Sequence, residues 1–166
     1  MKHLKTLLFA TALFIGATSF TSAQSKIAHI NTQELIKSMP EYKAAEAEME
    51  KLGKTYEAQI KDSYKEFETK TKQYDAEAAT KTDEENMKRM QEVEGMKQSI
   101  AQYQQQAQKD LQEKEFNLLK PITEKAKAAI EKVAADQGID YVLEAAGLIV
   151  AKGKNLMPDV KKQLGL

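Results

Sequence analysis

From Tyr42 the apolar or small positions fall at Ala45, Met49, Leu52, Tyr56, Ile60, Tyr64, Phe67, Thr71, Tyr74 and Ala78, ten steps in 36 residues. That period of 3.6 belongs to a nearly straight α-helix with one apolar stripe. A strict coiled coil holds 3.5 and drifts into a left-handed supercoil, whereas the steps of four from Leu52 to Tyr64 relax the heptad. At the start, Ser38 is placed to cap, Pro40 suits an early helical position and Glu41 completes an S-x-x-E capping box. About 40 residues at ~1.5 Å each predict a rod about 60 Å long.

The rod must turn back, and Ala79-Thr80-Lys81-Thr82 ends the first pattern. Thr82 to Glu85 forms a second capping box, with further acids in the first turn where the helix dipole favours them. A second stripe follows through Met87, Met90, Val93, Met96, Ile100, Tyr103, Ala107, Leu111 and Leu118. Two stripes of similar length predict a long antiparallel helical hairpin with its tip near residues 80–84. Pro121 lies inside the returning pattern and removes a backbone donor, so a kink or break is expected there. Ile122, Ala126, Ile130 and Val133 then carry a helix to Gln137, with Gly138 as its stop.

The two ends of the chain alternate instead. Residues 26–31 (KIAHIN) read as a strand, and Asn31 with Glu34 caps a short helix through Ser38. Ile139 to Glu144 and Leu148 to Lys152 read as two strands of a β-hairpin around Ala145-Ala146-Gly147, and a last helix runs from Pro158 to about Leu164. The expected fold class is therefore α+β and mostly α: residues 24–39 and 121–166 form a small β-containing body, and residues 40–120 project from it as a helical hairpin. A body of about 60 residues with few strands buries little surface and leaves sheet edges open. Its apolar strand residues Ile27, Ile30, Tyr141, Leu143, Leu148 and Val150 are thus candidates for oligomerisation, through a sheet closed by several copies.

Residues 1–23 read differently again. Lys2 and Lys5 precede a 14-residue uncharged run from Leu7 to Phe20, and Thr21-Ser22-Ala23 offers small residues before Gln24. This is the pattern of a cleaved signal peptide, and the run is shorter than the roughly 18 to 20 residues that a spanning helix needs. Export to a bacterial periplasm or an extracellular medium follows, and with no Cys the fold does not depend on disulfides. Subtracting Lys2 and Lys5 from the balanced 25 basic and 25 acidic side chains leaves a mature chain about two charges negative. Attraction to nucleic acid is not implied. His29 is the one histidine after residue 23, so no nitrogen or sulfur metal site and no cofactor is expected. The seven glycines form no phosphate loop, no nucleophile and base can be assembled, and an enzyme is not expected.

The opening KIAHINTQELIKSMPEYKAAEAEMEKL, the charged helical middle, GIDYVLEAAGLIVA and the closing NLMPDVKKQL together resemble the Skp/OmpH family of periplasmic chaperones. The resemblance covers essentially the whole mature chain. It implies a homotrimer with a β-barrel body and three α-helical tentacles. It also implies an ATP-independent holdase that encloses unfolded outer-membrane proteins and passes them toward the outer-membrane assembly machinery.

On such an arm Tyr56, Tyr64, Phe67, Tyr74, Met87, Met90, Met96 and Phe116 are candidates for touching clients, because Met adapts its shape and Tyr pairs an apolar face with a polar tip. Most of these positions also suit the seam between the two helices, which is narrow enough to leave flanking residues such as Met87 and Phe116 outside. Gly53 and Gly95, inside the helices, mark either hinges or close packing. The tentacles of the family's best-known member are strongly basic, while residues 41–116 here mix Lys, Glu and Asp almost evenly. Lipopolysaccharide or anionic-lipid binding is therefore not expected, and client capture should respond only modestly to salt. A coiled-coil envelope scaffold or spacer is the alternative reading, with the missing lipobox cysteine and membrane anchor against it.

Overall fold

The computed structural model describes residues 26–166, so the predicted signal segment lies outside the described residues. Strand β1 (Ile27–Ile30) leads into helix α1 (Thr32–Ser38), then the long helix α2 (Pro40–Glu77). A 3₁₀ turn at Ala78–Thr80 reverses the chain into α3 (Asp83–Asp136), which returns the full length of α2 and continues past it. The chain closes with β2 (Tyr141–Glu144), a second 3₁₀ turn (Ala145–Gly147), β3 (Lys154–Asn155) and α4 (Met157–Leu164). At 38 and 54 residues, α2 and α3 are about 57 and 81 Å long.

The local signals explain most of these boundaries. Asn31 Oδ1 accepts a hydrogen bond from the Glu34 amide at 3.0 Å, opening α1. At the tip, Thr82 Oγ1 accepts from the Glu85 amide while the Glu85 carboxylate accepts from the Thr82 amide, so the second capping box is complete. Gly138 has φ of +62°, the left-handed conformation that ends α3 cheaply without a Cβ. The first capping box does not form. Ser38 is the last residue of α1, where its hydroxyl donates backward to the Leu35 carbonyl at 2.6 Å, and Met39 is the residue that precedes α2. Pro40 does take the first helical position, and Glu41 pairs with Lys125 across the arm.

Pro121 does not break the helix, because α3 is continuous through it. An interior proline costs about 3 kcal/mol or more. Here Leu118 and Leu119 before it and Ile122 and Ala126 after it all pack into the core, and that packing outweighs the lost donor.

The larger correction concerns the predicted β-hairpin. The sheet has the order β2-β1-β3, and both neighbours run parallel to β1: Ile27 lies beside Tyr141, His29 beside Leu143, and on the other edge Ala28 beside Lys154. Parallel neighbours need a crossover, not a tight turn, so residues 145–153 carry the chain from one edge of β1 to the other. Leu148 to Gly153 consequently form no strand, since the second edge of β1 is taken by Lys154 and Asn155. His29 is a strand residue, as its alternating context predicts, and its Nε2 donates to the Gly153 carbonyl at 3.1 Å, tying the crossover down.

One face of this sheet is core. Ala28 and Ile30 point inward onto Leu35 and Met39 of the α1 segment, Ala126, Ala129 and Val133 of α3, and Leu156 and Val160 at α4. Ile30, proposed above as an oligomerisation residue, is only 1% exposed and belongs to the chain's own core. Period-2 alternation puts it on the face opposite Ile27, so the two cannot share a role.

A carboxylate clasps the sheet to α1. Glu144 accepts from the Thr32 amide at 3.1 Å, from the Thr32 hydroxyl and from the Ala146 amide at 3.1 Å. Partial desolvation pushes this carboxyl up, but the Thr32 hydroxyl and the Ala146 and Thr32 amides together hold it below its ordinary value. A depressed folded-state pKa stabilises the fold above the ordinary carboxylate range, and the contribution disappears as pH falls through that range. Glu144→Gln should therefore cost about 1 kcal/mol at neutral pH, discounted for screening at this exposed site, and almost nothing in acid. Urea denaturation of both proteins at several pH values checks this; a gap that persists unchanged into acid would contradict it.

Candidate interaction surfaces

Along the arm the two stripes meet as a seam. Ile100 and Ala107 are buried, and Met49, Leu52, Tyr56, Ile60, Phe67, Tyr74, Val93, Met96, Tyr103 and Leu111 are half-buried. Polar rungs cross it at intervals. Glu48 pairs with Lys114 at 2.7 Å, Tyr56 Oη donates to Asp110 at 2.9 Å, Tyr103 donates to Gln59, and Tyr74 Oη donates to Glu92 at 2.6 Å with Lys70 beside it. Donation to a carboxylate raises the pKa of both Tyr56 and Tyr74, while Lys70 and then Tyr74 lower that of Glu92. The Tyr56 and Tyr103 rings lie 5.9 Å apart, tilted.

These contacts divide the eight client-contact candidates. Tyr56, Phe67, Tyr74 and Met96 sit half-buried in the seam, where they join the helices, whereas Tyr64, Met87, Met90 and Phe116 are exposed. The carboxylate and arginine partners of the rungs were not singled out from the sequence. With the tip fixed by the second capping box, each position of α2 faces the one equally far from the tip in α3, and Tyr56 opposite Asp110 follows from that count.

Near the tip the seam opens into a groove of about 790 Å³, lined by Tyr74, Ala78, Met87, Arg89, Met90 and Val93 among others. Its floor is fixed: Arg89 bridges to Glu77 at 2.7 Å and stacks over the Tyr74 ring at 4.5 Å. Arg89 Nη1 is buried and has no acceptor among the described residues.

The second surface is the outer face of the sheet. Ile27, Tyr141 and Leu143 are exposed side by side on it, and Leu148, Ile149 and Val150 of the crossover are exposed too. Ile149, which the alternation placed inside a strand, lies entirely in solvent. Contiguous apolar exposure of this kind marks an interaction surface. Gly53 and Gly95 do not mark close packing within the chain, because a Cβ added at either would meet nothing within 4 Å. Among the described residues no helix is long and apolar enough to cross a membrane, and no group of three or more His, Asp or Glu residues is placed to hold a metal ion.

Residues 26–164 match the family model described as outer membrane protein (OmpH-like). The fold is similar to a crystal structure from Caulobacter crescentus described as an outer membrane chaperone (OmpH-like), with a TM-score of 0.77 at 15% identity, covering 86% of this chain and 85% of that one. No curated protein matches the chain.

Proposed function

We propose that this chain, which belongs to the family of OmpH-like outer membrane proteins, is an ATP-independent holdase of the periplasm that keeps unfolded outer-membrane proteins from aggregating. The observation that carries the reading is the placement of uncovered apolar side chains on two separate parts of one rod. At one end Ile27, Tyr141 and Leu143, with Leu148 and Val150, ask for further copies of the chain, and a homotrimer sharing one barrel-like sheet would cover them. Farther out, Tyr64, Met87, Met90 and Phe116 remain bare on slender arms, so three arms standing side by side would line a cavity with adaptable contacts.

In this reading residues 24–39 and 121–166 assemble, residues 40–120 hold the client, and Gly53 and Gly95 let the arms flex around clients of different size. Delivery toward the outer-membrane assembly machinery is then a release step that consumes no nucleotide. The arm carries charges of both signs, some of them engaged in rungs and in i, i+4 pairs such as Glu50–Lys54 and Glu84–Lys88, so no single-signed field attracts a client and apolar contact and enclosure do the holding.

The test is light scattering while a urea-unfolded outer-membrane barrel protein is diluted into ATP-free buffer with the mature chain. Suppression should saturate near one oligomer per client and change only modestly between low and physiological salt. Absence of suppression at excess would overturn the reading in favour of an envelope scaffold, and capture that collapsed on adding salt would overturn the apolar mechanism.

A further inference from the structure

The six methionines among the described residues differ sharply in their access to solvent. Met39 and Met157 are core residues, 1% and 8% exposed, and Met49 and Met96 are half-buried in the seam. Met87 and Met90 are 60% and 71% exposed. Three residues apart near the start of α3, these two share a face and line the tip groove together. The chain has no Cys, so thioethers are its only sulfur side chains and no thiol competes for an oxidant.

We propose that Met87 and Met90 form a reversible oxidation site, converted selectively to sulfoxides by two-electron, oxygen-donating oxidants such as hydrogen peroxide, and that conversion weakens the arm's hold on apolar polypeptide. The second half rests on the holdase reading above. In the forward step the Sδ lone pair attacks one peroxide oxygen, the S–O bond forms as the O–O bond breaks, and the departing hydroxide takes up a proton to leave as water. Sulfur loses two electrons and the peroxide gains them. A thiol-dependent methionine sulfoxide reductase reverses the change, two thiols becoming a disulfide while the oxygen leaves as water.

Two features make this a switch on the groove and not damage to the fold. The S=O group is a strong dipole and hydrogen-bond acceptor, so it removes the apolar, adaptable lining from which the groove's affinity would come. Neither side chain belongs to the core, and the tip is held by other contacts: the Thr82–Glu85 capping box, the Glu77–Arg89 bridge, and the Asn86 side-chain amide donating to the Ala78 carbonyl at 3.0 Å.

Graded peroxide treatment of the full mature chain, followed by peptide mapping by mass spectrometry, tests the site. Met87 and Met90 should each gain one oxygen first and Met39 and Met157 last, with the far-UV circular dichroism unchanged. Uniform oxidation, or oxidation of the seam methionines first, would overturn the site. The aggregation assay on the same samples tests the consequence: the amount of protein needed for half suppression should rise about five- to tenfold and return after reductase treatment. The double variant Met87→Leu with Met90→Leu keeps the apolar lining and should hold client before and after peroxide, while Met87→Gln with Met90→Gln should copy the oxidised state. Selective oxidation with undiminished capture, or a Leu variant as sensitive as the parent, would overturn the consequence alone. If the untreated chain suppresses nothing, the holdase reading and the functional half fall together, and the mapping still decides the site.

Discussion

Leu35→Ala is expected to lower the unfolding free energy by about 2–5 kcal/mol, which is a large part of the ~5–15 kcal/mol that a domain of this kind possesses. Leu35 is 0% exposed, and among the described residues only Ile30, Met39, Leu156 and Val160 match it as large side chains buried to the same degree. So few anchors means that no neighbouring cluster can take over the load. The site is also rigid on every side, with β1, α3 and α4 packed around the α1 segment, so a cavity there would close poorly and the cost should fall in the upper part of the range. Leu35→Met, close to the original volume, should cost less than about 1.5 kcal/mol. Denaturant unfolding followed by far-UV circular dichroism at one fixed protein concentration measures both. If the two variants unfold alike, the description of this core as closely packed is wrong.

Paired substitution of Tyr141 and Leu143 by Asp is expected to leave the protomer folded and to abolish the homotrimer proposed above. Both side chains stand on the sheet face that points away from the core, so the chain alone loses almost nothing. In a homotrimer each protomer would bury them, at about 1.5–3 kcal/mol per large apolar side chain, and a carboxylate in their place adds a desolvation penalty. The association constant should fall at least about a thousandfold. Sedimentation velocity distinguishes monomer from oligomer directly, with circular dichroism as the control for folding. An oligomer that persists in the variant would show that the copies meet elsewhere, and a parent that sediments as a monomer would overturn the proposed assembly itself.

The helical arm was legible because its signals are local and repeated. A 3.6-residue stripe across ten turns leaves little ambiguity, and Thr82 with Glu85 marks the tip through two hydrogen bonds made within four residues. Where local and distant forces compete, the sequence misleads. Pro121 carries a true local penalty, yet Leu118 and Ile122 on either side are held by partners far along the chain. Ser38 and Glu41 have the spacing of a capping box, but that box needs Ser38 outside a helix, and the end of α1 claims it.

The strands failed for another reason. Alternation at Ile139–Glu144 and Leu148–Lys152 reports which residues face the same way, and it carries no information on direction or neighbour. Whether β2 turns back on itself or crosses β1 is decided by Lys154 and Asn155, two polar residues with no strand pattern of their own. The candidate site suffered the same limit. Aromatic and methionine positions were found, but sorting seam from surface required the facing helix: Tyr74 is stacked by Arg89 and bonded to Glu92, while Met87 and Met90 have no such cover.

The central position of β1 sets the order in which the molecule can come together. Its hydrogen-bonded neighbours are residues 141–144 and 154–155, more than a hundred positions later in the chain. During synthesis, which runs from the N-terminus, the α2–α3 arm can close through nearby contacts while Ile27–Ile30 still waits for a sheet. The part of the apolar core that Leu156 and Val160 complete stays open until Lys154–Val160 emerges, so for that interval the protein itself exposes hydrophobic surface beside an unpaired strand edge. A stop codon placed just before Lys154 would make the interval permanent.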